Sequence, residues 1–108
     1  MSPTQRSLAH LKTLGYIARV VERWNPFARV RQDLFGVDIL GLKAGQPVLV
    51  VQCTSASNHA ARRIKLEAAG FTTLWKESGA VLEVWSWTKT GKKGKRKLWT
   101  LRKEILTS

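Results

Sequence analysis

The chain reads as an α/β domain, a mixed β-sheet with helices packed against it. Three stretches carry that expectation: a capped helix at the start, a hairpin over residues 36–54, and a second helix that leads into a strand by residue 88. At 108 residues the chain has room for one core of a few layers, so a single domain over residues 1–108 is expected.

Ser2, Pro3 and Gln5 form a capping-box start, with Pro at the first helical position and Gln at the third. The helix they open runs to about Leu14 and buries Leu8 and Leu11. Arg6 and Lys12 face water, and Gly15 stops it. This helix contains no Asp or Glu, and His10 reads as a surface or boundary residue. Residues 16–24, YIARVVERW, alternate as a strand. Tyr16, Ala18, Val20, Glu22 and Trp24 share one face, with Arg19 and Arg23 on the other. Glu22, an acid on the more apolar side, reads equally as a salt-bridge partner and as part of a metal site. Asn25-Pro26 breaks the strand, and Asp33 beyond it either pairs with Arg31 or joins a site.

The hairpin, GVDILGLKAGQPVLVVQCT, has two runs rich in Val, Ile and Leu around Ala44-Gly45-Gln46-Pro47. A turn centred on Gly45 sets Asp38 opposite Gln52, Leu40 opposite Val50, Leu42 opposite Val48 and Gly36 opposite Thr54. These residues share one face, because side chains alternate with period 2. That face is apolar near the turn and polar at its far end. A carboxylate beside an amide and a hydroxyl on a greasy surface is costly unless paired, solvated or bound to a cation, so functional interest falls here. Cys53, of opposite parity, points away.

Ser55 to Asn58 offer N-caps for a helix to about Ala69, stopped by Gly70, on which Asn58, Arg62 and Lys65 share a basic face. Residues 72–78 suit a short helical turn carrying Trp75. Residues 80–88, AVLEVWSWT, are a strong strand, and Leu98-Trp99-Thr100-Leu101 is its hairpin partner. Between them lie six cations, Lys89, Lys92, Lys93, Lys95, Arg96 and Lys97, in a glycine-punctuated loop suited to tracking phosphates.

Lys and Arg number 19 against 7 acids, a formal charge of +12, which points to a polyanionic partner such as nucleic acid. The lone cysteine cannot form an internal disulfide, no apolar run reaches membrane-span length, and the first ten residues lack a signal-peptide core. A cytoplasmic protein without membrane association is expected.

RQDLFGVDILGL, VLVVQCTS and SNHAARRIK together resemble the PD-(D/E)XK nuclease superfamily, the restriction-endonuclease-like group that includes Holliday junction resolvases. The likeness is greatest to small phage or prophage-type members and spans residues 8–87. It implies an α-β-β-β-α-β core with an additional C-terminal strand and a metal-dependent DNA endonuclease selective for branched or junction DNA. Mg²⁺ or Mn²⁺ would be the cofactor. By position the family's Asp, acid and Lys fall on Asp38, Gln52 and Thr54, so an amide replaces the acid and a hydroxyl the lysine. The resemblance further implies a metal held by Asp38, Gln52, the Cys53 carbonyl and Glu22 or Asp33. The missing lysine would be supplied by Lys65, with Arg62 as second choice. Arg31, Asn58, Arg62, Arg63 and the loop cations would contact DNA. One site cuts one strand, so junction cutting implies a homodimer, for which Trp85, Trp87 and Trp99 offer apolar area. Alternative readings are a DNA-binding module without catalysis, a Cys53–His59 thiol nucleophile and base, and an RNA binder using the tryptophans.

Overall fold

A computed structural model describes residues 1–91 and 93–108; Lys92 of the basic loop lies outside the described residues. Helix α1 (Pro3–Thr13) starts as its sequence dictates. Ser2 Oγ accepts from the Gln5 N–H and Gln5 Oε1 accepts from the Ser2 N–H, both at 3.1 Å, which satisfies two donors the helix cannot pair internally. It closes at Leu14, with Gly15 turning back at φ 87°.

Strands β1 (Ile17–Val20), β4 (Ile39–Leu42), β5 (Leu49–Ser55), β6 (Val81–Thr90) and β7 (Leu98–Ile105) form one sheet in the order β1-β4-β5-β6-β7. All neighbours are antiparallel except β5 and β6. A parallel pair needs a crossover, and α2 (His59–Ala68) with α3 (Phe71–Glu77) supplies it. The result is a mixed α/β fold with helices against both faces of the sheet. On one face Leu11 of α1 packs with Ala18, Ile39, Val51, Cys53 and Trp85; on the other Leu66 of α2 packs with Val37, Val50, Leu82 and Val84. Each Leu, Ile and Val among them contributes about 1.5–3 kcal/mol by leaving water. No helix among the described residues is long and apolar enough to cross a membrane.

The hairpin register follows the turn. Gly45 sits at φ 79°, Gln46 N–H bonds to the Lys43 carbonyl, and Ile39 pairs with Val51 and Leu40 with Val50. Asp38 and Gln52 are therefore neighbours on the α2 face.

Two expectations are corrected. Residues 16–24 are not one strand: β1 stops at Val20, and the Val21 N–H makes a last bond to the Asp38 carbonyl. Its partner β4 begins only at Ile39, so the sheet runs out. The chain then turns into a separate ribbon of β2 (Arg23–Asn25) and β3 (Val30–Gln32), leaving Glu22 at the bend. Nor can Trp85 serve an interface, because it is 1% exposed and lies edge-on to His10 of α1. Trp87 is half-buried, with its indole N–H on Ser7 Oγ, and Trp99 lies beneath the Arg6 guanidinium.

Register also locates the arms. β5 and β6 run parallel, with Ser55 beside Trp87, so β6 continues to the basic loop beyond the end of the sheet where Gln52 and Thr54 lie. The β2–β3 ribbon leaves β1 at this same end, past Val20 and its partner Ile39. Two basic arms thus bracket one end of the sheet.

Candidate active-site cleft

Between the arms lies a cleft of about 260 Å³, lined by Thr4, Glu22, Arg31, Asp33, Asp38, Gln52, Cys53, Arg62 and Lys65. All five residues expected to be catalytic, Asp38, Gln52, Lys65, Glu22 and Asp33, are brought together here.

The turn before β4 positions two of the acids. Leu34 and Val37 exchange backbone hydrogen bonds across Phe35 (φ 49°) and Gly36 (φ 85°), a two-residue hairpin with both central residues left-handed. Asp33 Oδ1 accepts from the Gly36 N–H at 3.1 Å, fixing its carboxyl at the cleft rim. Phe35 pays a strain cost at positive φ that its neighbours offset. Its carbonyl accepts from Trp75 Nε1 at 3.0 Å, and its ring meets Phe71 and Trp75 edge-on. Only glycine fits at position 36, since a Cβ there would drive into Leu66 and Phe71.

Asp38 is 4% exposed. Its Oδ2 accepts from the Cys53 N–H at 2.8 Å and from Gln52 Nε2 at 2.9 Å, which leaves Oδ1 without a hydrogen bond among the described residues. Its carboxyl is pushed up to about 7. Burial is the largest cause; the Cys53 N–H opposes it, and the adjoining Glu22 carboxyl, which favours a shared proton, and the charges of Glu22 and Asp33 add to it. Glu22 is itself held by Arg31 at 2.7 Å. Arg62 and Lys65, one turn apart on α2, face these acids.

The donors are hard oxygens, suited to Mg²⁺ or Mn²⁺. Among the described residues no group of three or more His, Cys, Asp and Glu converges closely enough to cage a metal. Mg²⁺ needs no such cage, since it keeps several waters and is commonly held by one or two carboxylates and a substrate phosphate. Asp38 Oδ1 fits that pattern. So does the Cys53 carbonyl: it leaves β5 on the same side as its N–H, beyond the start of β4, and accepts a long hydrogen bond from Gln52 Nε2 at 3.4 Å. Gln52 turns its amide nitrogen to Asp38, which leaves Oε1 as the atom it can offer a cation.

The remaining expected contacts scatter. Asn58 Nδ2 caps back on Ser55 Oγ at 3.2 Å and does not line the cleft. Arg63 turns to Glu104 Oε2 at 3.3 Å. Lys89, Lys93, Lys95, Arg96 and Lys97 are all exposed on their arm. The Cys53–His59 pairing does not form. Cys53 packs toward α1 with its thiol pushed up to about 12, chiefly by burial, whereas both ring nitrogens of His59 are engaged elsewhere.

Sequence reasoning missed that second constellation. His59, 1% exposed, places Nδ1 2.6 Å from Ser86 Oγ and Nε2 2.9 Å from Glu104 Oε1. It ties the start of α2 to β6 and β7. No local pattern could have joined residues 59, 86 and 104. The tight turn at Phe35-Gly36 was also missed, although the glycine was a usable signal. Compared with protein-family models, curated proteins and solved structures, the chain shows no match.

Proposed function

We propose that this protein is a metal-dependent DNA endonuclease with a restriction-endonuclease-like core, hydrolysing a phosphodiester in the cleft around Asp38. The observation that carries the reading is a buried carboxyl pushed up to about 7, first by its burial and further by two neighbouring acids, with one oxygen hydrogen-bonded to Cys53 and Gln52 and the other without a hydrogen bond among the described residues, opposite Arg62 and Lys65. Such crowding is unfavourable for the fold alone and is relieved by a bound cation. The strand order, the parallel β5–β6 step and the helices on both faces are compatible with the superfamily the sequence resembles.

Asp38 Oδ1, the Cys53 carbonyl and Gln52 Oε1, with Glu22 or Asp33, would hold Mg²⁺ or Mn²⁺. The ion supplies charge neutralisation at the phosphate and a bound water of lowered pKa. Lys65 stands where it can orient the attacking water or stabilise charge building on the phosphoryl oxygens, and Arg62 where it can hold the non-bridging oxygens. The arms would position the backbone, with Lys89, Lys93, Lys95, Arg96 and Lys97 on one side and Arg31 on the other. Cutting both strands of a junction would take a second copy of the chain.

A second reading, a DNA-binding module without catalysis, is favoured by one observation: the position opposite Asp38 holds a neutral amide that presents its nitrogen to the carboxyl. A cleavage assay on supercoiled plasmid and on branched duplex, with Mg²⁺ and with Mn²⁺, separates the two. Nicking by wild type, lowered about 10³-fold in Asp38→Asn and about 10²-fold in Lys65→Ala, supports hydrolysis. Tight binding with no product under either ion supports the module.

A further inference from the structure

The β2–β3 ribbon carries an aromatic that the fold does not use. Phe27 is 97% exposed at its tip, with Trp24 58% and Val30 47% exposed behind it. The same ten residues, 23–32, hold Arg23, Arg29 and Arg31 and no acid. The tip is stiff. Asn25 Oδ1 accepts from the Phe27 N–H at 3.0 Å and the Ala28 N–H at 3.2 Å, Pro26 fixes φ between them, and Arg29 takes φ 54° to turn the chain back into β3. Isolated exposed apolar residues are ordinary. A ring carried outward from a hydrogen-bonded turn at the end of an arginine-bearing ribbon is a different arrangement, because the ring gains nothing from water while the cations suit flanking phosphates. The ribbon is also joined to the cleft: Arg31, across from Trp24, bonds to Glu22 on the cleft wall.

We propose that Phe27 is a wedge that enters the base stack of duplex DNA beside the cleft, with Arg23 and Arg29 on the adjoining phosphates. Apolar side chains carried on basic elements open base steps in this way, and one ring suffices to fill a step. With one ring fully exposed and Trp24 and Val30 only about half exposed behind it, the tip offers little apolar area with which to hold a lipid surface, since such binding scales with the apolar area buried. Opening a step beside the cleft would let the backbone bend toward Lys65 and Arg62. It would also favour nicked or branched DNA, whose steps are already loosened. The inference rests on the DNA reading of the cleft.

The test uses the full chain in EDTA with a short duplex in which 2-aminopurine replaces every second adenine, so that an unstacked base fluoresces wherever the protein sits. Binding is followed separately by anisotropy. Wild type should raise the fluorescence severalfold. Phe27→Ala should abolish the rise while keeping most of the binding and the wild-type melting temperature, and Phe27→Tyr should restore it. A rise that persists in Phe27→Ala, or a wild type that binds duplex without any rise, overturns the wedge and leaves the cleft reading intact. Absence of duplex binding overturns both, and Phe27-dependent capture by anionic phospholipid vesicles instead of duplex assigns the tip to a membrane and overturns the wedge.

Discussion

Two buried polar constellations lie on the same face of the sheet, on either side of α2, and they are built in opposite ways. Around His59 every partner is matched. Ser86 and Glu104 take the two ring nitrogens, Arg63 takes the second oxygen of Glu104, and the Glu104 carboxyl is held below its usual range, chiefly by its hydrogen bond with His59. Around Asp38 the partners compete: three acids share one cleft, burial and crowding hold one of them near 7, and among the described residues one of its oxygens has no hydrogen bond. A fold that only needed polar groups buried would resolve both as it resolves the first. On the proposed reading the unresolved one is where a ligand would contribute the missing interaction, and α2 borders both, with His59 and Arg63 turned to the matched cluster and Arg62 and Lys65 to the crowded one.

Substitutions should separate the two. The largest stability effect is expected from His59→Ala, which leaves Ser86 and Glu104 without their shared partner and opens a cavity. A loss of about 2–4 kcal/mol should appear in urea unfolding. The crowded cluster should respond with the opposite sign. Asp38 has a folded pKa above its unfolded value, so the native state binds more protons between about 4 and about 7, and stability falls as pH rises through that window. Asp38→Asn keeps an acceptor for the Cys53 and Gln52 donors and removes the charge. At pH 8 it should gain about 1–3 kcal/mol over wild type, and the gain should vanish below pH 4. Glu104 runs the other way. Its depressed pKa gives stability that is present above the ordinary carboxylate range and lost as pH falls through the folded value, so Glu104→Gln should flatten the acid limb of the stability curve, at a cost of about 1 kcal/mol at neutral pH. The smallest effect belongs to Arg31→Ala. Its side chain is 74% exposed, so the change should cost under about 1 kcal/mol. It should nonetheless raise the Asp38 pKa further, because Glu22 loses its counter-charge.

The Asp38–Gln52 pairing was legible in the sequence because a glycine turn and alternating apolar residues fix the register of a hairpin, and register decides which side chains meet. The capping box at Ser2 and Gln5 was legible because it is complete within four residues. The strand over residues 16–24 was misjudged because alternation continues through Glu22 while the partner strand does not; a strand ends where its neighbour ends, and no local pattern shows that. The same blindness hid the ribbon tip at Phe27 and the His59–Glu104 bond, the latter made across 45 residues. Gathering Glu22 and Asp33 at Asp38 needed both the bend after β1 and the left-handed turn at Phe35-Gly36, neither of which the alternation of residues announces.

The central claim is that the crowding at Asp38 is relieved by a divalent cation, and the Asp38 carboxyl itself reports on this. Following its ¹³C chemical shift through a pH titration, with and without saturating Mg²⁺, should move the midpoint from about 7 without the ion into the ordinary carboxylate range or below with it. A midpoint near 7 that Mg²⁺ leaves unmoved would contradict the claim and leave the cleft a basic, non-catalytic surface.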